Sequence, residues 1–92
     1  MIENYIPEGK ENAITREELM RRTGYGDRMN RHFIAKARER GVPIVSAGRG
    51  YFIAKTQEEK EIICREAISR IRALAKTVKA IRATPIDGQQ KI

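Results

Sequence analysis

Arg28, Arg31, His32 and Ala35 recur at intervals of three, one and three residues, a spacing that gathers them on one face of an α-helix. A guanidinium is a rigid fork of N–H donors, suited to phosphates and other paired acceptors. A further cation, Arg49, stands between Gly48 and Gly50, whose missing side chains let the backbone come close to a polyanion. Thr15, Arg16, Arg21, Arg22, Tyr25, Lys36 and Ser46 are candidates for phosphate contacts, which position a protein without reading sequence. Plainer roles stay open for all of these. Arg28 and Arg31 serve equally as solvated surface cations or as partners of Asp27, His32 as a partly packed ring, Arg49 as an ordinary turn residue, and Tyr25 as a core or capping group. Tyr51 is read as structural.

Other chemistries find little support. There is one His and one Cys, Cys64, too few for an internal disulfide or for a zinc site built from Cys and His. No glycine-rich phosphate loop precedes a helix, and no nucleophile stands beside a base. The acidic pairs Glu17-Glu18 and Glu58-Glu59 are explained as helix N-terminal charges facing the dipole. Neither an enzyme nor a cofactor or metal is expected.

The elements that must position these residues follow from 92 residues, which make one small domain. Nineteen Lys and Arg against twelve Asp and Glu leave a formal charge of +7. That balance favours nucleic acid over an anionic membrane surface as partner. Residues 16–55 hold ten Lys and Arg and four Asp and Glu, a net +6. No apolar run approaches the ~20 residues of a membrane span, and Met1 to Glu11 lacks the features of a secretory signal. A cytoplasmic location without membrane contact is the expectation.

Thr15-Arg16-Glu17-Glu18 reads as a capping box: Thr15 caps a helix from Arg16 to Thr23 while Glu18 reaches back to the Thr15 N–H. Gly24-Tyr25-Gly26 ends that helix, and Asp27 is expected to cap the next one, Arg28 to about Arg40. Phe33, Ile34 and Ala37 supply its apolar face. Asn30 and small Ala37 on the inward side predict a thin contact, filled by Met29 or Phe33. Val42, Ile44 and Val45 then form a strand, held to a sheet edge by Pro43. Ala47-Gly48-Arg49-Gly50 turns into the returning strand Tyr51-Phe52-Ile53. The outline is two helices, a tight turn between them and a β-hairpin: mostly α with a small β component (α+β), in winged helix-turn-helix order. The expected divisions are an N-terminal segment (1–13), the winged unit (14–55), a long helix (56–83) and a disordered tail (84–92).

The stretches Ala13-Ile14-Thr15-Arg16-Glu17-Glu18-Leu19, Thr23-Gly24-Tyr25-Gly26-Asp27-Arg28, Gly41-Val42-Pro43-Ile44-Val45-Ser46 and Gly48-Arg49-Gly50-Tyr51-Phe52 resemble the winged helix-turn-helix domains of the biotin-repressor type. They are especially similar to small prophage-encoded DNA-binding proteins that add a C-terminal helix. The resemblance implies that the second helix enters the major groove of double-stranded DNA, with Arg28, Arg31, His32 and Ala35 against base edges, Arg gripping guanine by two hydrogen bonds. Arg49 would then reach a phosphate or the minor groove from the wing. A role in transcription regulation or replication, in a phage or a bacterium, is implied, without biotin or ligase activity.

A second box, Thr56-Gln57-Glu58-Glu59, opens a helix from Gln57 to about Ala83. Along it Cys64, Ala67, Ile71, Leu74, Val78 and Ile81 alternate spacings of three and four, a coiled-coil seam flanked by Ile63, Ile68 and Ala75. Cys64 is expected to be a small buried group. The seam either makes a homodimer, the preferred expectation, or folds back to complete one protomer's core. A protein-interaction adaptor that uses this helix is the alternative to a DNA-binding protein.

Overall fold

The computed structural model describes residues 1–48 and 50–86. Two of its α-helices begin on a threonine whose hydroxyl caps them. Thr15 passes directly from a two-residue strand, β1 (Ile14–Thr15), into helix α1 (Arg16–Thr23), and its hydroxyl accepts the Glu18 N–H at 3.0 Å. The reciprocal half of the expected box does not form. The Glu18 carboxylate turns along the helix to Arg21 and Arg22, where guanidinium donors give charge-assisted bonds stronger than one to a neutral amide. α1 ends on Gly24, whose φ of 79° is cheap only for glycine. Helix α2 (Asp27–Glu39) then starts one residue earlier than the sequence reading had it. Gly26 holds the cap position without a side-chain bond, and Asp27 lies inside the first turn, bonded to Arg31 at 3.0 Å. There its charge meets the positive end of the helix dipole.

Strands β2 (Ile44–Ala47) and β3 (Gly50–Ile53) form the expected antiparallel hairpin, with Ala47 opposite Gly50. Val42, expected in the strand, stays outside it because its N–H is spent on the end of α2, bonded to the Ala37 carbonyl at 3.0 Å. β2 lies at the sheet edge, as Pro43 requires. A third strand, not expected from the sequence, completes the sheet. β1 pairs antiparallel with the far side of β3, giving the order β1-β3-β2, with Ile14 opposite Tyr51 and Thr15 opposite Gly50. This pairing needs glycine, since a Cβ at position 50 would overlap the Ile14 carbonyl oxygen. The N-terminal segment extends the same edge: the Ile53 N–H donates to the Pro7 carbonyl at 2.7 Å, and the Gly9 N–H to the Ile53 carbonyl at 2.9 Å. A 3₁₀ turn, Ile2–Tyr5, sets Ile2 into the core. Residues 1–13 are therefore part of the body.

On one side of the sheet Ile2, Ile6, Leu19, Ile34, Ala37, Ile44 and Tyr51 make the core cluster. Each large aliphatic side chain buried there contributes about 1.5–3 kcal/mol. Val45 and Phe52 alternate to the other face and are equally buried. Helix α3 (Gln57–Ala83) packs against β2 and gives no residue to that cluster. Its box is formed in a shifted version: the Thr56 hydroxyl accepts the Glu59 N–H at 3.1 Å, and the Glu59 carboxylate accepts the N–H of Lys55 at 2.8 Å. Only its first three turns approach the body. From Ile68 to Ala83 every residue is exposed, so the helix runs outward and the molecule measures 55 × 30 × 23 Å. The helix leaves its fold at Thr84. The expected tail falls, from residue 87, outside the described residues.

Gly50→Ala should destabilise the chain by at least about 2 kcal/mol, since strand separation is the only relief for the overlap; urea unfolding measures it, and an unchanged midpoint would contradict the β1–β3 pairing. The Glu3 carboxylate accepts two Arg40 guanidinium bonds, at 3.0 and 3.2 Å. These first, and its own backbone N–H second, hold its pKa at about 2, below the ordinary 4.5. A depressed carboxylate stabilises fully above its unfolded pKa and loses that contribution as pH falls through the folded value. The unfolding midpoint of the wild type should therefore drop more between pH 4.5 and 2 than that of Glu3→Gln.

Candidate nucleic-acid interface

α2 has two unlike faces. Asn30, Ile34 and Ala37 are buried, while Arg28, Arg31, His32, Ala35 and Lys36 are all exposed. The spacing that suggested a common face for the cations is the one the helix adopts. This face is open to solvent and not packed against its own protomer.

What holds the face outward is a polar contact at the buried end of α2. Asn30 is 1% exposed. Its Oδ1 lies 3.0 Å from the Thr23 hydroxyl, which also lies 3.1 Å from the Leu19 carbonyl and accepts the Tyr25 N–H at 3.1 Å. The side chain thus ties the last turn of α1 and the connecting turn to α2. Of the two side chains expected to fill a thin contact, Phe33 packs against the core cluster and Met29 does not. Met29 is 47% exposed, Asn30 fills its own site, and Ala37 is fully buried because its small side chain suits a closely packed position. Phe33 is half-buried, with its ring centroid 5.3 Å from that of Tyr25 and 5.7 Å from that of His32.

The cations differ in how they are engaged. Among the described residues Arg28 has neither an ion-pair partner nor a side-chain hydrogen bond, and the same is true of Arg16. Arg31 pairs with Asp27 at 3.0 Å and Lys36 with Glu39 at 3.7 Å. Arg21 and Arg22 share Glu18, whose pKa they hold below the usual carboxylate value, Arg21 foremost. Arg22 also donates to the Tyr5 carbonyl at 3.3 Å. Exposed pairs of this kind contribute little, so a phosphate can displace the carboxylate at small cost. Thr15 uses its hydroxyl as a cap. Tyr25 and Ser46 are exposed, and Tyr51 is buried in the core. Arg49 lies outside the described residues.

Two cations have roles the sequence reading did not assign. Arg38 is half-buried and donates from Nε to the Ile44 carbonyl at 2.8 Å, fastening α2 to β2. Burial, with nearby Arg70 adding to it, lowers its pKa from the ordinary arginine value. Arg40 is the partner of Glu3. Neither shows a signal in the sequence, since both are two more cations at the end of a basic helix.

The seam of α3 is also corrected in one place. Cys64 is exposed, although it lies within the turns that approach the body and its neighbours Ile62 and Ile63 are half-buried. Ala67 is half-covered, and Ile71, Leu74, Val78 and Ile81 are exposed. Among the described residues no group of three His, Cys, Asp or Glu is placed to hold a metal ion, and no helix is long and apolar enough to cross a membrane.

Replacing Asn30 with Ala removes a buried side chain within hydrogen-bond reach of Thr23 and of the Tyr25 carbonyl and should cost about 1–3 kcal/mol. Thermal unfolding measures the loss, and a neutral result would mean that the Thr23–Asn30 contact does not orient α2.

Comparisons with known protein families, with curated proteins and with solved structures found no match. The reading of this face rests on its own chemistry: an exposed row of forked donors on a helix whose other side is anchored.

Proposed function

We propose that this chain is a winged helix-turn-helix protein that binds double-stranded DNA, with α2 in the major groove and the β2–β3 hairpin as its wing. The observation that carries this reading is the exposed face of α2, where Arg28, Arg31, His32 and Ala35 stand opposite the buried Asn30, Ile34 and Ala37. The major groove admits a helix and displays a different pattern of donors and acceptors for each base pair. Arg28, unpaired among the described residues, is the first candidate for a bidentate bond to guanine. Arg31 has to exchange Asp27 for a base or a phosphate. Arg16, Arg21, Arg22 and Lys36 would contact the backbone, and the positive charge concentrated over residues 16–55 would draw the duplex in. The element order, with β1 against the hairpin and α1 and α2 on one side of the sheet, supports the winged reading. A small cytoplasmic protein of this kind fits transcription regulation or a replication-associated step in a phage or a bacterium. An adaptor role finds its support in the exposed stripe of α3 and does not compete for the α2 face.

Fluorescence anisotropy on labelled duplexes tests the proposal. Affinity should fall with salt by a log–log slope of about −0.9 per neutralised phosphate. Arg28→Ala should weaken binding to the preferred duplex by about 1–3 kcal/mol and relax its sequence preference. Lys36→Ala should weaken binding to all duplexes alike and flatten the salt slope by about one phosphate. Duplex affinity indifferent to both substitutions would put the binding face elsewhere.

A further inference from the structure

The outer part of α3 presents Ile71, Leu74, Val78 and Ile81 to solvent, each between 48% and 68% exposed. We infer that this stripe is covered by the same stripe of a second copy, with the two α3 helices antiparallel about an axis between Arg72 and Ala73. The inference concerns a surface away from α2 and stands independently of the DNA reading.

Side-chain size is the first argument. The seam opens on small residues, Cys64 and Ala67, and closes on large ones, Val78 and Ile81. Antiparallel pairing sets Cys64 against Ile81 of the second copy, Ala67 against its Val78, and Ile71 against its Leu74. The outer layers then match a smaller side chain to a larger one and the central layers match two of equal size, so the two helices keep a constant separation, which close packing of helices rewards. Parallel pairing would set Ala67 on Ala67 and Ile81 on Ile81, pinched at one end and splayed at the other.

Charge is the second. The four acids of α3, Glu58, Glu59, Glu61 and Glu66, all precede Ala67, whereas Arg70, Arg72, Lys76, Lys79 and Arg82 follow it with no acid among them. Of these cations Arg70 and Arg82 flank the seam, and parallel helices would bring the two cationic halves to the same end of the rod with no acid opposite them. In the antiparallel register the positions that flank the seam bring Glu61 to Arg82 and Ile68 to Ala75, an ion pair and an apolar contact on either side of the axis. The third argument is access. Exposure is continuous from Ile68 to Ala83, about 24 Å of helix at 1.5 Å per residue, and of the two seam residues in the turns beside the body Cys64 is exposed and Ala67 half-buried. The two bodies then sit toward opposite ends of the paired rod.

Sedimentation equilibrium of the full chain without DNA should give twice the protomer mass of 10.5 kDa. Leu74→Asp, at an exposed position that leaves the body intact by circular dichroism, should return it to one protomer. Oxidation with diamide followed by non-reducing electrophoresis reads the direction. In the antiparallel register the two Cys64 thiols stand roughly 26 Å apart along the axis, so the wild type should stay uncrosslinked. Ile81→Cys, which places a new thiol opposite Cys64, should crosslink nearly completely, and the same substitution combined with Cys64→Ser should not. A protomer mass for the wild type, efficient crosslinking of the wild type through Cys64 alone, or a wild type that sediments as a protomer with phosphatidylserine-containing vesicles would each overturn the inference. None of these readouts depends on DNA, so a failure here is separate from a failure of the α2 assignment.

Discussion

The close approach of Ile14 and Thr15 to Gly50 is the constraint on which the rest of the body depends. A backbone that passes this near to a neighbouring strand leaves no room for a side chain, and glycine is the residue that permits it. Because Thr15 is at once the end of β1 and the cap of α1, docking the strand also fixes the start and direction of the helix. Three residues of turn later, Asn30 and Thr23 lock α2 against α1. The outward row of cations on α2 is thus the last link of a chain of contacts that begins at a missing methyl group.

Much of this was legible in the sequence, where the signals are local and strong. The Thr15 and Thr56 caps, the Gly24 terminator and the apolar spacing of Ile34 and Ala37 mark the helices, because each satisfies backbone groups or a burial pattern within one turn. Pro43 marks an edge strand for a similar reason. β1 was not legible. Two residues are too few to show alternation, and the glycine that admits them looks like an ordinary turn residue. The place of the N-terminal segment in the body was not legible either: Ile2 and Ile6 gain their place from contacts with distant residues, and the Pro7 and Gly9 pairing with Ile53 has no composition of its own.

The candidate face was legible as a face and not as a set of engaged side chains. Helical periodicity alone puts Arg28, Arg31, His32 and Ala35 together. Which cation is held by which carboxylate is decided by rotamers that differ by a fraction of a kcal/mol at an exposed surface, and residue types carry little of that. The return of Glu18 to Thr15 failed on this ground, since its carboxylate bonds Arg21 and Arg22 instead, whereas Asp27 missed the cap because the helix starts one residue earlier, on Gly26. Cys64 shows the complementary lesson. Its seam position is written in the spacing, but its burial depends on what covers that side of the helix, and within one protomer the cysteine stays exposed.

α3 has no glycine or proline along its twenty-seven residues, and it is bolted at its base through Thr56, Glu59 and the contact with β2. Such a rod acts as a lever. At a length of about 40 Å, a tilt of some 10° at the hairpin would carry its far end through roughly 7 Å. Whatever grips the tip of this molecule therefore senses small changes in the pose of the hairpin, amplified by the arm that joins them.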